Sequence, residues 1–308
     1  MENASPSLAP VAAAAPLVSI VALCHNHAPY LREALDSILA QDYAPLEVWL
    51  VDNASTDDSP AILQSYARAN PGWHLLLLPE NIGNCRAFNQ AFFQSTGEFV
   101  VDFATDDVLL PTRLSQQVAL FQRLPPDYGA VYSNCELMTA AGQPLGLHHC
   151  PDGRGRLHPR PASGWVFEDV ISRYFISSPT VLLRAATLRA LGGYDETLSY
   201  EDFDCWVRAS RDWRFQYQDV VTTRKRKHPR SMSAQLTRQH DPYLDSTLAV
   251  CRKVLALCRT PAEARALARR LRHELAHALR RRQWAAARQA SQLLVDVVGR
   301  VVGLRGQA

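Results

Sequence analysis

Two adjacent carboxylates, Asp106 and Asp107, close the stretch GEFVVDFATDD directly after an apolar run. Like charges side by side repel, and a poorly hydrated carboxylate is costly without a partner. Arg or Lys, backbone N–H groups or a divalent cation would supply one. Mg2+ or Mn2+ is commonly held by one or two carboxylates together with substrate phosphates, so the pair is a candidate metal site. The competing reading is local: acids just before Pro111 can cap a helix and offset its dipole. Asp52 ends another apolar run, LEVWLVD. There it can accept from a nucleobase N–H or a ribose hydroxyl, or simply close an Asx-turn. Glu201 and Asp202 lie in an acid-rich stretch, GGYDETLSYEDFDCWVR. A carboxylate at the start of such a helix can act as a general base, or only complement the helix dipole. Arg224, Lys225, Arg226, Lys227, His228 and Arg230 form a basic run that could fold over phosphates or lie as a solvated loop.

These residues need elements to hold them. The β-branched run LVSIVALC predicts a buried strand, and Leu31, Ala34, Leu35, Ile38 and Leu39 mark one face of the helix after it. Further strands are expected at 46–51, 73–78, 98–103 and 129–134. Helices are expected over about 58–69, 83–95 and 111–123. This alternation predicts an α/β fold with a doubly wound, mostly parallel sheet. In such sheets ligands bind beyond the carboxyl ends of strands, so Asp52 and the Asp106/Asp107 pair should face one crevice. Residues 135–165 read as loop or irregular hairpin. A helix (166–175), a strand (178–184), a helix near Glu201 and a strand (213–218) follow. TPAE at 260–263 is a capping box, and Leu267, Leu271, Leu275, Ala278 and Leu279 form an apolar stripe flanked by Arg. A last helix is expected over about 284–302.

Composition permits one α/β domain with an appendage in 308 residues. Charge is unevenly placed. Residues 259–308 carry eleven Arg, no Lys and three acids, a net of +8 against −5 for the rest. A basic tail on a mildly acidic body suggests a polyanionic neighbour. The seven cysteines lack C-x-x-C spacing, which fits a reduced compartment. Residues 1–16, with two prolines among their apolar residues, read as a disordered leader, and no apolar run approaches a membrane span. His148, His149 and Cys150 are consecutive and lack zinc-ligand spacing. Cys24, beside His25 and His27, reads as a strand-end residue rather than a nucleophile.

No G-x-G-x-x-G or P-loop pattern occurs, which argues against dinucleotide binding. A stretch from Val18 to Ser59, then NIGNCRAFN, GEFVVDFATDDVLLPTRL, FISSPTVLLRAATLRALGGYDETLSYEDFDCWVRAS and RKHPRSMS follow in order. Together they resemble the inverting family 2 type glycosyltransferases of GT-A fold, over roughly 17–233. The resemblance implies a nucleotide-sugar half (17–134), an acceptor half (135–233) and a helical extension (234–308). It implies a nucleoside-diphosphate sugar donor, UDP or dTDP, and a glycan or lipid-linked acceptor in cell-surface polysaccharide synthesis. It implies Asp202 as catalytic base with Glu201 supporting it, and Asp52, Asn26, Asn81 and Arg86 at the nucleotide. Asp106, Asp107 and His228 would hold a divalent cation, Mn2+ or Mg2+, with Arg226 near the diphosphate. Three positions depart from the family pattern: Phe88 stands at an Arg position, Ala104 replaces an acid, and Asn53 replaces a frequent Asp. A cytoplasmic enzyme is expected, with possible peripheral contact at the inner face of the membrane through its basic helices, and no nucleic-acid partner. The alternatives are a nucleotide-sugar-binding protein without catalysis and a sugar nucleotidyltransferase. The latter would want a glycine-rich, basic loop where CHNHAPYL stands.

Overall fold

The computed structural model describes residues 14–157, 159–229, 231, 241 and 243–305. Most of the expected leader, Arg230 of the basic run and the opening of the carboxyl-terminal extension lie outside the described residues. The chain begins with β1 (Val18–Cys24), α1 (Ala28–Leu39), β2 (Leu46–Asp52), α2 (Ser59–Ala69), β3 (His74–Leu77), α3 (Asn84–Phe92) and β4 (Phe99–Ala104). Next come β5 (Val108–Leu109), α4 (Arg113–Phe121), β6 (Tyr128–Thr139), β7 (Pro144–Leu147), α5 (Phe167–Ser172), β8 (Leu182–Arg184) and α6 (Ala185–Ala190). It closes with α7 (Asp202–Asp212), β9 (Arg214–Lys227), α8 (Leu244–Leu257), α9 (Pro261–Arg280) and α10 (Trp284–Arg305).

One mixed sheet runs β3-β2-β1-β4-β8-β6-β9-β5, with β7 paired to β6. β3, β2, β1 and β4 are parallel, as the alternation predicts. The register sets Cys24 opposite Asp52 and Leu23 opposite Ala104. Asp52 and the Asp106 turn therefore flank the end of β1. Alternate residues of β1 face opposite sides of the sheet, as a period of two requires. Ile20 and Ala22 pack with α1, α2 and α4, while Val21 and Leu23 join the cluster of α3, α5 and α7. Leu267, Leu271 and Ala278 of α9 and Leu293 and Val297 of α10 belong to that second cluster, so the basic tail shares the body's core.

Two expectations need correction. The basic run is strand as far as Lys227, because β9 continues past 218 between β6 and β5. Its long cationic side chains are accommodated by partners: Arg224 Nε donates to Glu136 Oε2 at 2.8 Å, and Arg226 is buried. The expected strand over 178–184 starts as a 3-10 turn at Ser178–Thr180, and only Leu182–Arg184 pair in the sheet.

Candidate active site

At the first strand ends, Asp52 is buried. Its Oδ2 accepts from the Ser55 N–H at 3.0 Å, while its buried Oδ1 has no partner. Such an oxygen is costly unless a ligand N–H or O–H reaches it. Asn26, at φ +58°, accepts from the Thr56 N–H at 2.8 Å. Asn53 Nδ2 donates to Asn81 Oδ1 at 3.1 Å and Asn53 Oδ1 accepts from the Ile82 N–H at 3.0 Å. The His25 ring lies 2.8 Å from the Asn53 carbonyl oxygen and 3.3 Å from Asn81 Nδ2. Asn26, Asp52 and Asn81 are thus brought together at one cleft. Arg86 is not: on α3 it reaches Glu196 at 3.1 Å and is half exposed. Phe88, at the family's Arg position, is buried and packs on Tyr194, ring centroids 4.5 Å apart.

Beside β1, the turn after β4 holds the carboxylate pair. Asp106 Oδ2 lies 3.0 Å from His228 Nε2, and Asp107 Oδ1 accepts from the Arg226 N–H at 2.7 Å. Burial raises the Asp106 pKa, but the His228 hydrogen bond and the charges of His27 and His228 outweigh it and hold it below the usual range. Burial and the neighbouring Asp106 charge push Asp107 well above that range. The two adjacent acids are thus shifted in opposite directions, as expected of a like-charged pair. The Arg226 guanidinium points inward. It donates to the Asp106 and Ala140 carbonyls at 2.8 and 3.0 Å, pairs with Glu33, and lies 4.7 Å over the Tyr30 ring. With those N–H groups occupied, Arg226 braces the acid turn; the expected grip on a diphosphate does not fit this placement.

The residues fit a divalent cation as an open half-site. Asp106 Oδ2 and His228 Nε2 stand 3.0 Å apart, about the spacing of adjacent ligands at bonds of roughly 2.1 Å. Among the described residues no three such side chains converge as a cage. Substrate phosphate oxygens would have to complete the coordination.

The third cluster opens α7. Asp202 Oδ1 accepts from the Tyr174 hydroxyl at 2.7 Å and from the Phe203 N–H at 2.6 Å, and Oδ2 accepts from Ser178 Oγ at 2.8 Å. Tyr174 is 54% exposed, so its hydroxyl can give way to another. Glu201 Oε2 is buried without a partner. Burial, then the charges of Asp102 and Asp202, raise the Glu201 pKa well above the ordinary carboxyl range.

Asp102 escaped sequence reasoning, while His27 and Lys225 entered it only as a neighbour of Cys24 and as part of the basic run. Asp102 interrupts the apolar strand β4 and accepts from the Tyr194 hydroxyl at 3.1 Å. Burial and the Asp202 charge push it up to about 7. Its signal was plain: a lone acid inside the apolar run FVVDF. His27 Nδ1 lies 3.0 Å from Thr105 Oγ1, and its ring stands edge-on to His228 at 6.4 Å. Burial lowers its pKa. Lys225 alternates with Arg226 on β9 and is near enough to Asp107 and Glu201 for its charge to act on both. No ion pair of Lys225 occurs among the described residues. It links the second and third clusters.

Residues 19–139 match the family model for Glycosyl transferase family 2. The chain is 28% identical over 232 residues to an uncharacterized glycosyltransferase of Rickettsia prowazekii, covering 75% of this chain and 70% of that one. The match spans 64%, 32% and 36% of the length of three further rickettsial relatives. Bacillus subtilis TuaG, named as a glycosyltransferase of teichuronic acid biosynthesis, is 29% identical over 138 residues, 44% of this chain and 54% of TuaG. The fold is that of S. aureus TarS 1-349, solved with UDP-GlcNAc (TM-score 0.69, 20% identity, 93% of this chain and 83% of that chain). It also matches the Pyrobaculum calidifontis mannosyltransferase PcManGT, solved with GDP-Man and Mn2+ (TM-score 0.56, 22% identity, 97% and 90%).

Proposed function

Because the chain is a glycosyltransferase of GT-A fold with a family 2 domain over residues 19–139, we propose that it moves a sugar, with inversion, from a nucleoside-diphosphate sugar to an acceptor hydroxyl. UDP or dTDP is the proposed nucleotide, and the acceptor is a glycan or lipid-linked saccharide of a cell-surface polysaccharide. The names of TuaG and TarS's bound UDP-GlcNAc support this class. A cytoplasmic site of action belongs to the same proposal. No described helix is long and apolar enough to cross a membrane.

The observation that carries the reading is the unpartnered Asp52 Oδ1, buried at a strand end beside the Asp106–His228 pair. A donor with its base at Asp52 and its diphosphate at Asp106 would run across the end of β1. Asn26 and Asn81 border the base, and Lys225 faces the leaving group. Mn2+ or Mg2+ would be held by Asp106, Asp107 and His228, and when bound it supplies positive charge to the diphosphate. Asp107 sets that turn through the Arg226 N–H. Asp202 receives the acceptor's proton as the acceptor oxygen displaces the Tyr174 hydroxyl. The new C–O bond forms at the anomeric carbon, and the broken bond leaves its electron pair on the diphosphate oxygen. Glu201, its pKa raised by burial and by the charges of Asp102 and Asp202, is the supporting acid beside that base.

Calorimetry with UDP and dTDP, with Mn2+ or Mg2+ and then with EDTA, tests the donor site. Metal-dependent binding abolished by Asp107→Ala is expected. No binding of either nucleotide under any metal condition would remove the proposal. The absent acid at Ala104 favours a second reading, a binding protein without catalysis. Transfer by the wild type, lost by Asp202→Asn with nucleotide binding retained, separates the two.

A further inference from the structure

The carboxyl-terminal hairpin of α9 and α10 has two unlike faces. At 100° per residue, Arg265, Arg269, Arg272, Leu279 and Arg280 fall within about a third of the circumference of α9. All five are exposed. The stripe runs to the start of α10, where Trp284 is 66% exposed. Acids do not balance it. Glu263 and Glu274 are buried, held by Arg211 and Arg270, which leaves Asp296 as the one exposed acid described after Arg259. Of the stripe only Arg269 has an ion pair among the described residues, a 3.4 Å contact with exposed Glu168 of α5. Such unbalanced cations on a folded surface repel one another unless an anionic partner lies against them.

We propose that this face docks on an anionic phospholipid bilayer. Arginines in a row beside an exposed indole and an exposed Leu match the interface between headgroups and acyl chains. A nucleic acid would use the charge but has no place for Leu279 beside Trp284. The opposite face of α9 gives docking a purpose. Arg270 there lies 4.5 Å over the Phe203 ring and 5.5 Å over the Tyr174 ring, and Tyr174 donates to Asp202. A single helix thus separates the proposed lipid face from the proposed base. A lipid-linked acceptor held in that bilayer would meet Asp202 without leaving the surface. This deepens the transferase reading and rests on it only for what is delivered; docking itself stands independently.

Full-length protein is sedimented with vesicles of phosphatidylcholine alone and with about one third phosphatidylglycerol. Partition into the anionic vesicles only, lost at high salt, is expected. Arg265→Gln/Arg272→Gln/Arg280→Gln should lower partition about five-fold per arginine, on the order of 10²-fold in all. Trp284→Ser should weaken partition while keeping its salt dependence. Unchanged calorimetric nucleotide binding in both variants would show that the fold survives, so a failed donor assay in the wild type is distinguishable from failed docking. Equal binding to both vesicle types, or wild-type partition by the triple variant, would overturn the proposal. Binding of a duplex oligonucleotide with no vesicle partition would overturn it too, and assign the face to nucleic acid.

Discussion

Asp102 shows how one carboxyl can tune a site without touching the reacting atoms. Its folded pKa of about 7 lies above the ordinary value of about 3.9. Between these values the unfolded chain has lost a proton that the folded chain keeps, so stability falls as pH rises through this window. Asp102→Asn removes the penalty. The variant should melt a few degrees above the wild type at pH 8 and alongside it near pH 4, read by calorimetric scanning. Lys225 is the second residue of this kind. As a cation facing Asp107 and Glu201, it is proposed to meet the diphosphate. Lys225→Met should weaken nucleotide binding about ten-fold, the usual loss for a charge-assisted contact, with the melting midpoint little changed. Unaltered affinity would give Lys225 a structural role only.

At the scale of elements, the Asp106–Asp107 turn is held from behind. β5 is two residues long and pairs with β9 through Val108 and Leu109. Such a short strand cannot fix a loop by its ladder alone. Arg226 supplies the rest, bridging α1 through Glu33, the β6–β7 turn through Ala140, and Asp106 itself. Arg226→Met should therefore lose metal-dependent nucleotide binding by calorimetry more than an exposed Lys227→Met does, and should cost about 2–3 kcal/mol by denaturant titration, since it leaves the Asp106 and Ala140 carbonyls without their donor. Legibility in the sequence follows the same division. β1, β2, β4 and their helices were readable because apolar β-branched runs alternate with helical stripes. Asp52, Asp106 and Asp107 stood out as acids ending such runs. β9 was cut short because RKRK reads as solvated, while in the fold the neighbours β6 and β5 give those side chains Glu136, Gly142 and Asp106 as partners. Which acid faces which ring or cation depends on register between strands distant in sequence, and no local pattern carries that.

For the whole molecule, the tail is a structural layer of the body. Leu267, Leu271, Leu293 and Val297 share one apolar cluster with Phe167, Val170 and Phe203. A chain ended at Arg259 should lose cooperative unfolding of the layer built on α5 and α7, seen as a broadened transition, because each exposed Leu or Val forfeits roughly 1.5–3 kcal/mol. The stacking of Arg270 on Tyr174 carries this layer's influence to the chemistry. A nucleotide sugar can be cleaved by water as well as by an alcohol, so a transferase is judged by fidelity as much as by speed. Where Asp202 is the proposed base, the hydrogen bond from the Tyr174 hydroxyl occupies one of its carboxylate oxygens until an acceptor hydroxyl takes that place. Arg270→Ala should raise the ratio of donor hydrolysis to sugar transfer several-fold at unchanged donor affinity, measured by free nucleotide against glycosylated product. The remote helix would then act as a guard against waste.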